Sequence, residues 1–313
     1  MTNNFRLGID IGGTKVNIGI IGEEGNILDS CTLPSGNLSK HEELVANICR
    51  QAEACLSKNN LSLHDISHIG VGIPGTANYR TGVVRYSPNL FKENVPLGDY
   101  FEQIWQRKVT VLQDSWAGAW AEYLLRQDKD CHNMLCITLG TGIGCGVVLQ
   151  GKVFGGVMQA AGEIGHTSVV PGGRLCSCGK RGCLEAYTSG TAIWEQAKER
   201  FPAKLRGKPE KAETVFQMAY DGDSDALSLL EECVDRLAYG LTLVVNLLSV
   251  NVILVSGGIC NHEKLMIAPL AEKIRAYGYP AWAKDYTITV KKAALGSFAP
   301  MVGAAFLTED CIL

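Results

Sequence analysis

Two strand–turn–strand units built on glycine, about half a chain apart, restrict the fold of this 313-residue chain more than any other feature. In the first, the apolar strand 5–9 runs into Asp10-Ile11-Gly12-Gly13-Thr14-Lys15. Strands 16–21 and 27–33 follow, parted by the turn Glu23-Glu24-Gly25-Asn26. In the second, 134–139 is a strand, Gly140-Thr141-Gly142-Ile143-Gly144 the turn and 145–149 the returning strand. Short apolar runs bounded by Gly and Asn are strand signals. Bare glycine N–H groups can approach phosphate oxygens closely, and a Thr hydroxyl adds a donor. Asp10 can hold Mg2+ through its water shell, since magnesium keeps several waters and prefers one or two carboxylates. The first turn is neither G-x-G-x-x-G nor a P-loop, because no helix follows its glycines. A third pair, Gly257-Gly258 after Ser256, follows the strand 252–255 and is expected to precede a helix beginning around His262. Glycines at the carboxyl end of a strand are where open α/β sheets place ligands. Each turn alone is also what a plain hairpin uses. Together they predict an α/β chain with a duplicated fold that clamps a nucleotide between two domains.

Between the second and third turns the chain carries a metal-ligand pattern. Nine residues separate His166 from Cys176, one separates Cys176 from Cys178, and four separate Cys178 from Cys183. Three thiolates and an imidazole are the ligand set of a closed tetrahedral Zn2+ site, with no position left for water or substrate. Gly172, Gly173, Gly179 and Gly182 allow the tight backbone this requires. The competing reading is a cluster of reduced buried cysteines, but interleaved Gly, Lys and Arg do not look like core. The expected zinc is structural, so the chemistry must come from elsewhere. The other nine of the twelve Cys are scattered, as in Cys136, Cys145 and Cys233, which suits a reducing cytoplasm.

Apolar residues make up 46% of the chain and the net charge is −3, which gives no electrostatic reason to expect nucleic acid. The first apolar stretch carries Asp10, Lys15 and Asn17, so no secretory signal is expected. The stretch 241–255 is interrupted by Thr242, Asn246, Ser249 and Asn251, and reads as a buried helix running into a strand rather than a membrane span. Ser39 and Glu42 form a capping box before Leu44, Val45, Ile48, Ala52, Cys55 and Leu56 at helical spacing. Leu227, Leu230, Val234, Leu237, Leu241 and Val244 repeat the pattern in a longer helix and are expected to be core. Asp114 falls between an expected strand, 109–112, and a helix starting at Ser115. At that place Asp is a favoured N-cap, and it is also well placed for catalysis.

Taken together, these residues resemble the ROK family of sugar kinases over essentially the whole chain, with its motifs in the family's order. Asp10 to Thr14 matches the phosphate loop, with Lys15 next to it, and Gly140, Thr141 and Gly142 match the second one. The family signatures match Gly162-Glu163-Ile164-Gly165-His166 and the run from Cys176 through Cys183 to Glu185. The resemblance implies an actin-like ATPase (ribonuclease H-like) fold of two lobes with an interlobe cleft. The lobes would be 1–113 and 114–296, with a last helix, near 297–307 within 297–313, crossing back to the first. It implies that Asp114 is the catalytic base, and that Gly75, Asn89, Gln113, Glu163, His166 and Glu185 line the sugar pocket. His166 would also bind zinc, and Gly257 and Gly258 would face the nucleotide. The family usually has Asn where this chain has Gln113, one methylene longer, which bears on which sugar is taken.

The implied reaction is ATP-dependent phosphorylation of a hexose, glucose first, at its 6-hydroxyl. Mannose, fructose, allose or an N-acetylhexosamine such as N-acetylmannosamine are the alternatives. ATP, Mg2+ and structural Zn2+ are the expected cofactors, and the expected assembly is a homodimer in the cytoplasm, with no nucleic-acid or membrane partner. Family members that repress transcription carry a DNA-binding domain ahead of the phosphate loop, whereas seven residues precede Gly8 here. A zinc hydrolase would need an open metal position, which four protein ligands do not leave. A non-catalytic zinc-containing sugar-binding or regulatory protein is the remaining reading from another class.

Overall fold

The computed structural model describes residues 4–36, 40–87, 94–126, 133–280 and 287–313. Its strands are β1 (Phe5–Ile11), β2 (Lys15–Ile21), β3 (Ile27–Pro34), β4 (Ile66–Ile73), β5 (Thr76–Asn78), β6 (Val83–Tyr86) and β7 (Thr110–Gln113). They continue with β8 (Met134–Leu139), β9 (Ile143–Leu149), β10 (Lys152–Val153), β11 (Val252–Ser256) and β12 (Thr289–Lys292). The helices are α1 (His41–Lys58), α2 (Leu97–Trp105), α3 (Asp114–Leu124), α4 (Glu185–Thr188) and α5 (Gly190–Arg200). After them come α6 (Ala212–Tyr220), α7 (Ser224–Leu248), α8 (Ile267–Tyr277) and α9 (Ala299–Phe306). Among the described residues no helix is long and apolar enough to cross a membrane.

The duplication is written in the strand order. The first sheet runs β3-β2-β1-β4-β7 and the second β10-β9-β8-β11-β12. In each, three consecutive strands fold back on one another and two later strands add beside the first. In the first sheet β1 pairs antiparallel with β2 but parallel with β4, and β4 is parallel to β7. Parallel neighbours need crossovers, which here contain α1 and α2. A sheet covered on both faces reads as near-continuous apolar sequence, and β2 is buried from Val16 to Ile21.

Packing divides the chain into two compact units. Unit 1 comprises Met1–His132, Gly146–Ala161 and Leu295–Leu313, and unit 2 Asn133–Cys145 and Gly162–Ala294. In unit 1, Leu7, Ile9, Ile18, Val45, Ile48 and Phe101 belong to one core with α1 and α2. Met301, Val302 and Ala305 of α9 form a second core with Ile21 and Ala121. That helix sits unusually close to its neighbours. A Cβ at Gly70 of β4 would lie 1.8 Å from the Ala304 carbonyl, and one at Gly303 1.7 Å from the Ala117 carbonyl of α3. Bare Cα atoms let these backbones touch.

Three sequence expectations are corrected. No α-helix begins at His262: a 3-10 turn, Gly258–Asn261, and a further turn intervene before α8 starts at Ile267. His262 instead lays its ring flat on Phe216, 3.8 Å between centroids and 5° from coplanar. Leu227 is not core but 39% exposed and Val244 is only half-buried, while Ala226 and Val245 take the buried places at the two ends of α7. The strand before α3 runs one residue later than expected, ending at Gln113. Ser39 of the expected capping box lies outside the described residues, and α1 begins at His41.

Candidate active site and metal-binding loop

In unit 1 the chemistry-bearing residues gather at strand ends. Gly12, Gly13 and Thr14 form the β1–β2 turn, closed by the Gly12 N–H donating to the Lys15 carbonyl at 2.9 Å. Ser35, just past β3, braces it, its hydroxyl donating to the Gly12 carbonyl at 2.6 Å and its N–H to the Thr14 carbonyl at 3.1 Å. Gly13, Thr14 and Lys15 stay exposed. Beneath the turn, Asp10 pairs in register with Asn17, and Asn17 with Thr32. The Asn17 amide donates to Asp10 Oδ2 at 3.3 Å, and the Thr32 hydroxyl donates to Asn17 Oδ1 at 3.0 Å. Burial pushes the Asp10 carboxyl up to about 6, although the Asn17 bond and the Lys15 charge pull it down. One carboxylate is a donor set that suits a largely hydrated Mg2+, whose charge would favour the ionised form.

Gln113, 7% exposed at the end of β7, is the residue before the first turn of α3 and has extended backbone (φ −70°, ψ 133°). Asp114 is therefore the first helical residue and not the N-cap. Its Oδ1 accepts the Ser115 N–H at 2.6 Å, satisfying one of the N–H groups a helix start leaves open. Gly75 has φ +101°, and a Cβ there would lie 2.3 Å from the Tyr86 carbonyl, so glycine alone fits the turn between β4 and β5. Asn89 lies outside the described residues.

In unit 2 the second and third glycine turns meet. The β8–β9 turn is closed by Gly140 N–H donating to the Gly142 carbonyl at 3.0 Å, and Gly190 N–H donates to the Gly140 carbonyl at 2.7 Å. Gly257, at φ +86°, would place a Cβ 2.2 Å from the carbonyl of Leu139, the residue before that turn. Gly258 follows, and a Cβ there would be 3.8 Å from a Glu213 oxygen. Thr141 is exposed at the tip.

The four expected metal ligands come together in the same unit. One ligand atom each from His166, Cys176, Cys178 and Cys183 lies within 4.8 Å of the others. Cys178 and Cys183 Sγ are 3.7 Å apart, and Cys176 Sγ is 3.7 Å from His166 Nδ1. Tetrahedral bonds of about 2.3 Å to sulfur and 2.0–2.1 Å to nitrogen require separations of about 3.8 Å and 3.6 Å, so the set fits zinc. Burial, then the neighbouring Cys178 and Cys176 thiols, pushes Cys183 up to about 12. Three thiolates at this spacing need a cation to hold them ionised. With Nδ1 toward the sulfurs, His166 Nε2 faces Glu163 Oε2 at 4.0 Å. Glu185, the first residue of α4, accepts the Ile143 N–H at 2.9 Å with one oxygen and the Ser177 hydroxyl at 3.0 Å with the other.

Sequence reasoning passed over Ser35, Asn17 and Ser177. The register of a three-strand meander could have pointed to Asn17, because Asp10, Asn17 and Thr32 lie in one cross-strand row. Ser35 and Ser177 carry no signal of their own.

The profile of the ROK family matches residues 6–311. A glucokinase of Thermotoga maritima is 32% identical, over 98% of this chain and 98% of its own. An N-acetylmannosamine kinase of Vibrio cholerae is also 32% identical, over 81% of this chain and 83% of its own. Among solved structures, a ROK family glucokinase from Streptomyces griseus in complex with glucose and AMPPNP superimposes with a TM-score of 0.81. It is 30% identical and covers 98% of this chain and 100% of that one. The α/β fold is thus that of ROK glucokinases, within the actin-like ATPases.

Proposed function

The chain belongs to the ROK family, and we propose from that premise that it is an ATP-dependent hexose kinase that phosphorylates glucose at the 6-hydroxyl. One observation carries the reading: nearly the whole chain follows the fold of a glucokinase whose structure holds glucose and AMPPNP. The glycine turns are the phosphate-binding elements of that reading.

Asp114 acts as general base, taking the proton of the attacking hydroxyl. The Ser115 N–H at 2.6 Å supports the carboxylate form, and so does the positive end of α3. Gly12 and Gly140 close the two turns with their own N–H groups, and the N–H groups of Gly13 and Gly142, the hydroxyls of Thr14 and Thr141, and Lys15 take the charge on the phosphates. Asp10 is the carboxylate that holds Mg2+ through water. The metal, when bound, shields the phosphate oxygens that the hydroxyl must approach. Gly257 and Gly258 serve the nucleoside end. Asn89, Gln113, Glu163, His166 and Glu185 hold sugar hydroxyls, and Gly75 belongs to a turn lining the same pocket. His166 can do so through Nε2 while Nδ1 ligates zinc with Cys176, Cys178 and Cys183. Bound zinc supplies folding energy to this loop and no chemistry of the transfer.

Glucose is the first substrate, and Gln113 is the residue that sets the choice against other hexoses. The likeness to an N-acetylmannosamine kinase favours that sugar as the second candidate. We assign the protein to the cytoplasm, where reducing conditions keep the loop thiols available to metal. A homodimer is the proposed assembly. The exposed row Tyr239, Leu243 and Leu247 on α7, with Tyr277 beside it, is a surface able to support it.

ADP release measured over a panel of hexoses tests the function. Release that depends on sugar, greatest with glucose, is expected. Release indifferent to sugar, or none across the panel, would overturn it.

A further inference from the structure

We infer that Glu185 is the brace by which the metal-binding loop holds the β8–β9 turn in its phosphate-receiving shape, an inference that rests on the phosphate-binding reading of that turn. One carboxylate spans the two elements. Its Oε2 accepts the N–H of Ile143, the first residue of β9, at 2.9 Å. Its Oε1 accepts the Ser177 hydroxyl at 3.0 Å and lies 3.8 Å from Cys176 Sγ. Ser177 stands between the ligands Cys176 and Cys178, so its position follows from theirs.

Position 142 fits this role. A Cβ there would lie 2.6 Å from Glu185 Oε2, so a side chain would push the carboxylate off the turn. Among the turn's other fixings, Gly140 N–H on the Gly142 carbonyl, Gly190 N–H on the Gly140 carbonyl and Gly257 against Leu139 are backbone contacts that do not pass through the metal loop. The Glu185 bond to Ile143 is charge-assisted, roughly twice as strong as a neutral one. It is also a side-chain contact that answers to the metal ligands, through Ser177. Each carboxylate oxygen has a second acceptor site, so the brace leaves Glu185 able to accept a sugar hydroxyl.

The consequence is a linkage between two sites otherwise thought of separately. An ordered metal loop favours nucleotide binding, and bound nucleotide favours metal retention by the same factor. Glu185 is a positioning residue for the turn, and the test must read nucleotide binding directly.

Isothermal titration of Mg2+–AMPPNP into sugar-free protein supplies that readout, with the metal content measured in each sample. Chelation of the wild type should weaken AMPPNP about 5- to 50-fold, within the usual range of allosteric coupling. Glu185→Ala should weaken it similarly and make it indifferent to chelation. Gly142→Ala, which displaces the carboxylate from the other side, should do the same. Ser177→Ala alters an exposed side chain, so folding is not at stake. It should cost about two- to tenfold, the net worth of a typical hydrogen bond, because water can replace the hydroxyl at an exposed position. Unchanged affinity in chelated wild type and in Glu185→Ala would overturn the inference. So would tighter binding in Glu185→Ala, which would make the carboxylate a competitor of phosphate, and so would equal sensitivity to chelation with and without it. Failure of wild type to bind AMPPNP at all would instead overturn the phosphate-binding reading.

Discussion

Replacing Asp114 by Asn separates catalysis from the hydrogen bond that the side chain makes at the start of α3. The Ser115 N–H donates to Asp114 Oδ1 at 2.6 Å, and an Asn carbonyl oxygen can accept the same bond. The start of α3 therefore keeps its hydrogen bond and loses the charge. That loss costs about 0.3–1 kcal/mol of favourable charge–dipole interaction, small against a typical stability of about 5–15 kcal/mol. Asn has no basic oxygen to accept the sugar proton, and a positioned base is worth roughly 10²–10⁴-fold in rate. At 1.36 kcal/mol per tenfold, the barrier rises by about 2.7–5.4 kcal/mol. Asp114→Ala should be as inactive, and additionally destabilised by about 0.5–2 kcal/mol for the lost acceptor. The assay is ADP release with glucose at saturation for kcat, sugar affinity by titration, and thermal melting. The expected outcome is kcat down at least a hundredfold in both variants, sugar affinity changed much less, and a melting difference between Asn and Ala. A kcat within a few-fold of wild type in Asp114→Asn would refute the base assignment and leave the side chain a helix-start ligand.

Other outcomes follow from the packing and the charges. Gly70→Ala or Gly303→Ala should yield little folded protein, since each Cβ meets a backbone carbonyl at under 2 Å and overpacking already costs about 1–3 kcal/mol where side chains can yield. Wild-type melting of either variant would contradict the close approach of α9. Protein purified without added metal should contain one zinc per chain, and Cys183→Ser should lose it along with sugar affinity. Active, well-folded protein with no metal removes the claim. Asp10 gives a pH dependence whose sign is set by its raised value of about 6 against an ordinary 3.8. Its contribution to stability is fully present below 3.8 and is lost as pH rises through 6. Without Mg2+, the wild type should therefore lose melting temperature relative to Asp10→Asn between pH 4.5 and 7, and Mg2+ should narrow the gap. Parallel melting curves for the two proteins would argue against a buried carboxyl here.

Much of this molecule follows from short stretches of sequence. Strand β8 occupies the expected 134–139 because an apolar run of that length ends at glycine, and the hairpins on either side of Gly12 and Gly140 follow from the same rule. The cluster of candidate metal ligands was legible too, since ligand type and spacing over eighteen residues are local properties and the loop brings them within 4.8 Å. Tertiary structure alone decided the rest. Asn17 reaches Asp10 because antiparallel register pairs them, and Ser35 returns to the turn from the far end of β3. Glu185 holds Ile143 across 42 positions, and Gly70 admits α9 across more than 230. Helix and strand periods and ligand spacings are settled by neighbours within a few bonds, so composition and order reveal them. Cross-strand partners and backbone-to-backbone approaches depend on which distant segments share a surface, and no local pattern of residue types encodes that.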